Sequence, residues 1–196
     1  MLIDENDRRP VIYIHGFGSD KESSKFIALK ERLDQKYFVV DIVEADYALA
    51  TRRDIEYKFS QVIAKFLGYP TPIIVGHSLG GYWARVLSVN QFFPALLVNP
   101  SMMPWDTLKD KIPVREYKLP PTSKIDLASG KSTEYVYIEL GDEIVDQQSQ
   151  IDAGLFGNSV LTTVLGGHHR IEFIDNVINQ VVKLDKYIND LESFIH

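Results

Sequence analysis

A serine stands between two glycines in Gly76-His77-Ser78-Leu79-Gly80, where the apolar run IIV at 73–75 ends and YWARVL at 82–87 begins. This is the G-x-S-x-G spacing of a nucleophile elbow, in which a strand turns sharply into a helix and leaves a serine hydroxyl exposed at the sheet edge. Glycines suit the flanking positions because the turn is tight and a Cβ there would meet neighbouring chain. A serine hydroxyl attacks poorly at neutral pH unless a base takes its proton, and that base needs an acid to hold its tautomer. The chain contains 5 histidines. His15 and His77 belong to glycine-containing turns and His196 ends the chain, which leaves His168 and His169 in LGGHHR as candidate bases. In the chain order serine, acid, histidine, the acid follows the strand before that turn. Asp142 in YIELGDEIVD occupies this place, with Glu143 and Asp146 as neighbouring alternatives.

The oxyanion of an acyl-transfer intermediate needs backbone N–H donors about 3 Å from the developing charge. Leu79, directly after the serine, supplies one, and Phe17 in HGFGS, after the first apolar run, supplies the other. Met102, Met103 and Trp105 follow the fourth apolar run at the expected rim of the site, where they are candidate walls of an acyl pocket. The chemistry calls for no metal and no organic cofactor. The absence of cysteine removes disulfide frameworks, thiol catalysis and cysteine-based zinc sites together.

These residues need a scaffold that brings several turns to one edge. Short β-branched or aromatic runs at 11–16, 37–43, 72–76, 95–100, 134–140 and 159–167 read as six strands. Phe26, Leu29 and Leu33 recur at helical spacing, with serines just before them as caps. Ile55, Phe59, Val62, Ile63 and Phe66 make a second helical face, stopped by Gly68 and Pro70. From Ile171 onward the apolar positions repeat as a long C-terminal helix. Strands alternating with helices predict an α/β fold: a doubly wound, mostly parallel sheet of about six strands with helices on both faces. One domain is expected over 1–196, with 101–133 as a lid-like or irregular insertion. That stretch holds Pro104, Pro113, Pro120 and Pro121, shows no period, and carries more basic than acidic residues.

Composition excludes several function classes. The 196 residues are 45% hydrophobic and 24% charged, the balance of an ordinary globular chain rather than a disordered or fibrous one. A formal charge of −6 does not favour nucleic acid or an anionic membrane as partner. The first residues are polar and acidic where a secretion signal needs a basic and then an apolar stretch, so a cytoplasmic protein is expected.

Taken together, VIYIHGFGSD, GHSLGGYWARVLS, LLVNPS, YIELGDEIVD and GGHHR resemble the α/β-hydrolase superfamily, and more narrowly the small bacterial YqiA-type esterases. The resemblance runs from the first strand to the turn after the sixth. It implies a minimal α/β-hydrolase sheet lacking the usual first two strands, and hydrolysis of carboxylic esters. It places the nucleophile on Ser78, the acid on Asp142 and, through the pattern G-G-x-H, the base on His169 rather than His168. The expected function is therefore a serine esterase acting through an acyl-enzyme on a small or short-acyl ester. An acyl thioesterase with the same three residues and a non-catalytic hydrolase-fold scaffold are the alternatives.

Overall fold

The computed structural model of the chain describes residues 7–33, 38–123 and 132–193. His196, the expected strand start at Tyr37 and residues 124–131 of the proline-bearing segment lie outside the described residues. The six apolar runs form β1 (Arg9–Ile14), β2 (Phe38–Val43), β3 (Ile73–His77), β4 (Ala95–Val98), β5 (Glu134–Glu139) and β6 (Val160–Val164). They make one sheet in the order β2-β1-β3-β4-β5-β6, and every neighbouring pair is parallel. The winding direction reverses between β1 and β3. Such a switch point opens a crevice beyond the carboxyl ends of the two strands, and Gly16 and Ser78 follow those ends.

β1, β3 and β4 are buried along their whole length, which is why they read as continuous rather than alternating apolar runs. Helices cover both faces. On one, α1 (Ser24–Leu33) and α6 (Ile174–Ser193) set Phe26, Leu29, Val177 and Val181 against Val11, Tyr13 and Val75. On the other, α2 (Arg52–Ala64) and α3 (Leu79–Gln91) set Ile55, Phe59, Trp83 and Leu87 against Ile12, Ile14 and Leu97. Thr51 and Asp54 start α2 with a reciprocal capping box.

α3, the helix that carries the elbow, is tied to β5 by charge. Arg85 is 2% exposed and donates from Nε to Glu134 Oε2 at 2.9 Å and from Nη2 to Oε1 at 2.6 Å. Its Nη1 donates to the Leu155 carbonyl at 2.7 Å. The fork-to-fork geometry satisfies both desolvated charges, and loss of either partner would leave the other buried alone.

Two expectations change. The described part of 101–133 is not structureless: it contains α4 (Pro104–Thr107) and a 3₁₀ turn at Val114–Glu116. Tyr117 then packs its ring 5.3 Å from Tyr82 and 5.4 Å from Trp83, a long-range aromatic anchor that produces no sequence period. A further short helix, α5 (Gln147–Asp152), follows β5. The C-terminal helix begins at Ile174 rather than Ile171. Ile171 takes a left-handed φ of 60°, costly for a β-branched residue, and the N–H groups of Glu172 and Phe173 donate to Glu139.

Candidate active site

Ser78 has φ 55° and ψ −122° at the junction of β3 and α3, a strained conformation for a residue with a Cβ. The surrounding backbone holds it there. Its N–H donates to the Val98 carbonyl at 3.0 Å, and its own carbonyl accepts from Gly81 at 2.9 Å and Ser101 at 3.0 Å. Gly80 has to be glycine, because a Cβ would be driven into the backbone carbonyl of Ile14. The same crossing brings the turn after β1 against the elbow: a Cβ on Gly16 would lie 3.1 Å from that of Ser78. Phe17 is thereby placed beside Ser78. Among the described residues the N–H groups of Phe17 and Leu79 meet no hydrogen-bond acceptor.

The turns after β5 and β6 meet at a second glycine crossing, where the Gly141 N–H donates to the Gly166 carbonyl at 2.7 Å. There His169 Nδ1 faces both carboxyl oxygens of Asp142, at 3.0 and 2.9 Å. The Asp142 side chain is fully buried and that of His169 is 14% exposed. Burial alone would raise the Asp142 pKa. Hydrogen bonds from His169, from Gln147 and from the Val145 N–H outweigh it and hold the carboxyl below its usual range. With Nδ1–H given to the carboxylate, His169 keeps Nε2 as the nitrogen with a free lone pair. Ser78, His169 and Phe17 line one cavity of about 760 Å³.

The neighbouring candidates do other work. His168 is exposed, with Nδ1 at 3.7 Å from Glu143 and Nε2 at 4.0 Å from Glu172. Glu143 accepts from the His169 backbone N–H at 3.1 Å. Asp146 caps α5 by accepting from Ser149 at 2.9 Å. His15 accepts at Nε2 from the Ala45 N–H at 3.0 Å and donates from Nδ1 to the Gly16 carbonyl at 2.7 Å.

The expected acyl-pocket residues are not brought to the cavity. Met102 is wholly buried in the core beside α3, with its N–H donating to Gln150 Oε1 at 2.6 Å. Trp105 packs against the same core. Neither they nor Met103 line the cavity; Ser101, Thr107, Leu108 and Lys111 do, from the same segment. Apolar side chains after a strand go inward when core volume is open to them, and α4 turns the following residues toward the site instead. Among the described residues no cluster of three or more metal-ligating side chains occurs.

Two residues that the motif reading passed over hold the histidine turn. Glu139, at the end of β5, is fully buried. Its carboxyl accepts from the N–H groups of His168, Glu172 and Phe173 at 3.0, 2.9 and 3.0 Å. Gly167 passes so close, at φ 77°, that a Cβ would strike the Glu139 side chain. Asn99, with φ 41°, donates from Nδ2 to the His168 carbonyl at 3.1 Å and accepts at Oδ1 from the Glu139 N–H at 2.7 Å. The available signal was a charged residue ending the apolar run YVYI, since a carboxyl there must find partners.

His77 packs beneath the histidine turn, where its Nε2–H donates to the His169 carbonyl at 2.8 Å. Burial first, and then the charge of His169, push its pKa down to about 3. An unfolded histidine titrates near ~6.5, so between those values the unfolded chain binds more protons and stability rises with pH. The stabilisation is complete above about pH 6.5 and is lost as pH falls toward about 3. Unfolding free energies from urea titrations should therefore fall as pH drops below about 6.5, by at most ~1.4 kcal/mol per pH unit for this group. His77→Asn should flatten the decline; identical slopes in both proteins would assign the acid sensitivity elsewhere.

Residues 10–186 match the family described as "Uncharacterised protein family (UPF0227)". The chain belongs to that family. A UPF0227 protein of Shewanella sp. (strain ANA-3) is 29% identical over 107 residues, 52% of this chain and 56% of that protein. One from Pasteurella multocida is 26% identical over 144 residues, covering 70% and 78%. The chain spans about half the length of the Shewanella relatives it matches. Among solved structures, Est1E from Butyrivibrio proteoclasticus is similar with a TM-score of 0.66 at 13% identity, covering 96% of this chain and 90% of its own. A structure reported with the carboxylesterases of Nitrososphaera gargenis is similar with a TM-score of 0.68 at 13% identity, covering 93% of each chain. The fold of this UPF0227 member is that of the α/β-hydrolases. Among its described residues no helix is long and apolar enough to cross a membrane.

Proposed function

We propose that this UPF0227 protein is a serine esterase that works through an acyl-enzyme. The observation that carries the reading is His169, held by the buried Asp142 at 2.9 Å and lining one cavity with a serine in an elbow conformation. In this reading Ser78 Oγ attacks the ester carbonyl carbon while His169 Nε2 takes its proton. Asp142 holds the tautomer and stabilises the imidazolium. The N–H groups of Phe17 and Leu79, without acceptors among the described residues, bind the oxyanion. The tetrahedral intermediate collapses, the alcohol leaves with the proton from His169, and Ser78 keeps the acyl group. Water then gives a proton to His169 and attacks the acyl carbon, and the second tetrahedral intermediate collapses by breaking its bond to Ser78 Oγ, which takes the proton back from His169 as the acid leaves.

The segment after β4 forms one wall through Ser101, Thr107, Leu108 and Lys111. Apolar surface at the cavity comes from Phe17, Leu108, Ile144 and Val145, which suits a short acyl chain. A thioester would be cleaved by the same groups, and matched oxygen and sulfur esters compared by kcat/KM separate the two.

The test needs no substrate. A fluorophosphonate should label wild type stoichiometrically at Ser78, read by intact mass and peptide mapping, and leave Ser78→Ala unmodified. Absence of labelling in folded wild type would count against an activated serine and favour the scaffold reading.

A further inference from the structure

The cavity that holds Ser78 and His169 is also lined by three cationic side chains, Lys25, Lys111 and Arg170. Several cations elsewhere in the protein are paired. Arg9 meets Asp185 and Glu192, Arg85 meets Glu134, and even exposed Lys65 reaches Asp41. Among the described residues neither Lys25 nor Arg170 makes an ion pair or a side-chain hydrogen bond. Lys25 is only half-exposed. Burial first, and then the positive charge of Arg170, lower its pKa, so the ammonium sits where both desolvation and a like charge oppose it. The one carboxyl in the lining, Glu143, is engaged by the His169 N–H at 3.1 Å. In a chain of formal charge −6, unpaired cations gathered at the reacting serine are a local reversal of sign. Charge-assisted pairing with an anion would relieve both costs at once.

Resting on the esterase reading, we propose that the substrate carries an anionic group, a carboxylate or a phosphate, held by Lys25 and Arg170 while its ester carbonyl meets Ser78. Lys111, on the segment after β4, adds positive potential from another part of the lining. The hydroxyl of Ser24, the first residue of α1, also lines the cavity and is a further donor. The same chemistry serves an anion on the acyl part or on the alcohol part of the ester.

The experiment compares kcat/KM for two matched pairs at low salt. On the acyl side, p-nitrophenyl hemiglutarate is set against p-nitrophenyl pentanoate. On the alcohol side, the butyrate ester of hydroxyethyl phosphate is set against that of ethylene glycol. Wild type should favour the anionic member of at least one pair by roughly ten-fold or more, and that pair identifies which side bears the charge. The advantage should shrink with added salt and collapse in the Lys25→Met, Arg170→Met double variant. Equal rates within both pairs, or an advantage that survives the double variant, would overturn the inference. If no ester is turned over and Ser78 does not label, the esterase reading has failed separately. Inorganic phosphate then decides the anion site by calorimetry: binding to wild type that is lost in the double variant supports it, and no binding overturns it.

Discussion

Asp142→Asn is expected to lower kcat for any ester the wild type cleaves by up to roughly 10⁴-fold, with a much smaller change in KM. The geometry dictates how. Asp142 Oδ1 accepts from the Ile144 and Val145 N–H groups, both at 2.9 Å, so the asparagine keeps its carbonyl oxygen on that side. Its NH₂ then replaces Oδ2, which accepts from Gln147 Nε2 at 3.0 Å and from His169 Nδ1 at 2.9 Å. Gln147 cannot simply turn over, because its Oε1 accepts from Gln150 at 2.9 Å. The amide therefore presents a donor to His169 where Oδ2 stood at 2.9 Å, beside an Oδ1 acceptor at 3.0 Å that is already shared with two backbone N–H groups. The imidazole answers by giving up its proton at Nδ1 and carrying it on Nε2, the nitrogen that must be free to take the serine proton. Fluorophosphonate labelling of Ser78 should slow in parallel, and the unfolding free energy should fall by about 1–3 kcal/mol, since the bonds to Ile144 and Val145 survive but the one from Gln147 is lost. If Asp142→Asn works within ten-fold of wild type and Asp146→Asn or Glu143→Gln is the damaging change, the acid has been misassigned.

What could be read from the chain alone follows the range of the forces involved. Buried parallel strands announce themselves locally, because IYI at 12–14 and IIV at 73–75 are apolar on both faces. The elbow was legible for the same reason: strand, Gly76, Ser78, Gly80 and helix lie within a few residues. The choice of His169 over His168 rested on a resemblance, and the structure separates them by orientation, His169 toward Asp142 and His168 toward Glu143 and Glu172. Met102 was misplaced because an apolar residue beside a predicted site reads the same whether it faces a pocket or the core. The start of α6 was misplaced because the N–H groups of Glu172 and Phe173 turn to a carboxyl more than thirty residues away. No window on the sequence contains that partner. Lys25 and Arg170 show the same limit: far apart in the chain, they become neighbours only once α1 and the turn after β6 line one cavity.

Glu139→Ala should be the most damaging substitution outside the reacting groups themselves. It removes the acceptor of three backbone N–H groups, on His168, Glu172 and Phe173, in a turn that also carries the left-handed Ile171. Each buried donor left without a partner costs about 1–3 kcal/mol, so a loss of ~3 kcal/mol or more in unfolding free energy is expected. The catalytic consequence is separable from that loss. Asn99 still grips the His168 carbonyl at 3.1 Å, and His77 the His169 carbonyl at 2.8 Å, so the turn stays attached but is no longer fixed. A base displaced by about 1 Å costs on the order of 10²-fold in rate. In buffer where the variant is folded by circular dichroism, kcat and the rate of Ser78 labelling should both fall by about that factor, with KM nearly unchanged. Glu139→Gln keeps the shape and one acceptor oxygen, and should fall between the two. In the proposed mechanism Glu139 is thus a positioning residue, acting on the ester only through His169. A folded Glu139→Ala protein that labels at the wild-type rate would reduce Glu139 to a purely structural carboxyl, and an unfolding midpoint unchanged from wild type would remove even that role.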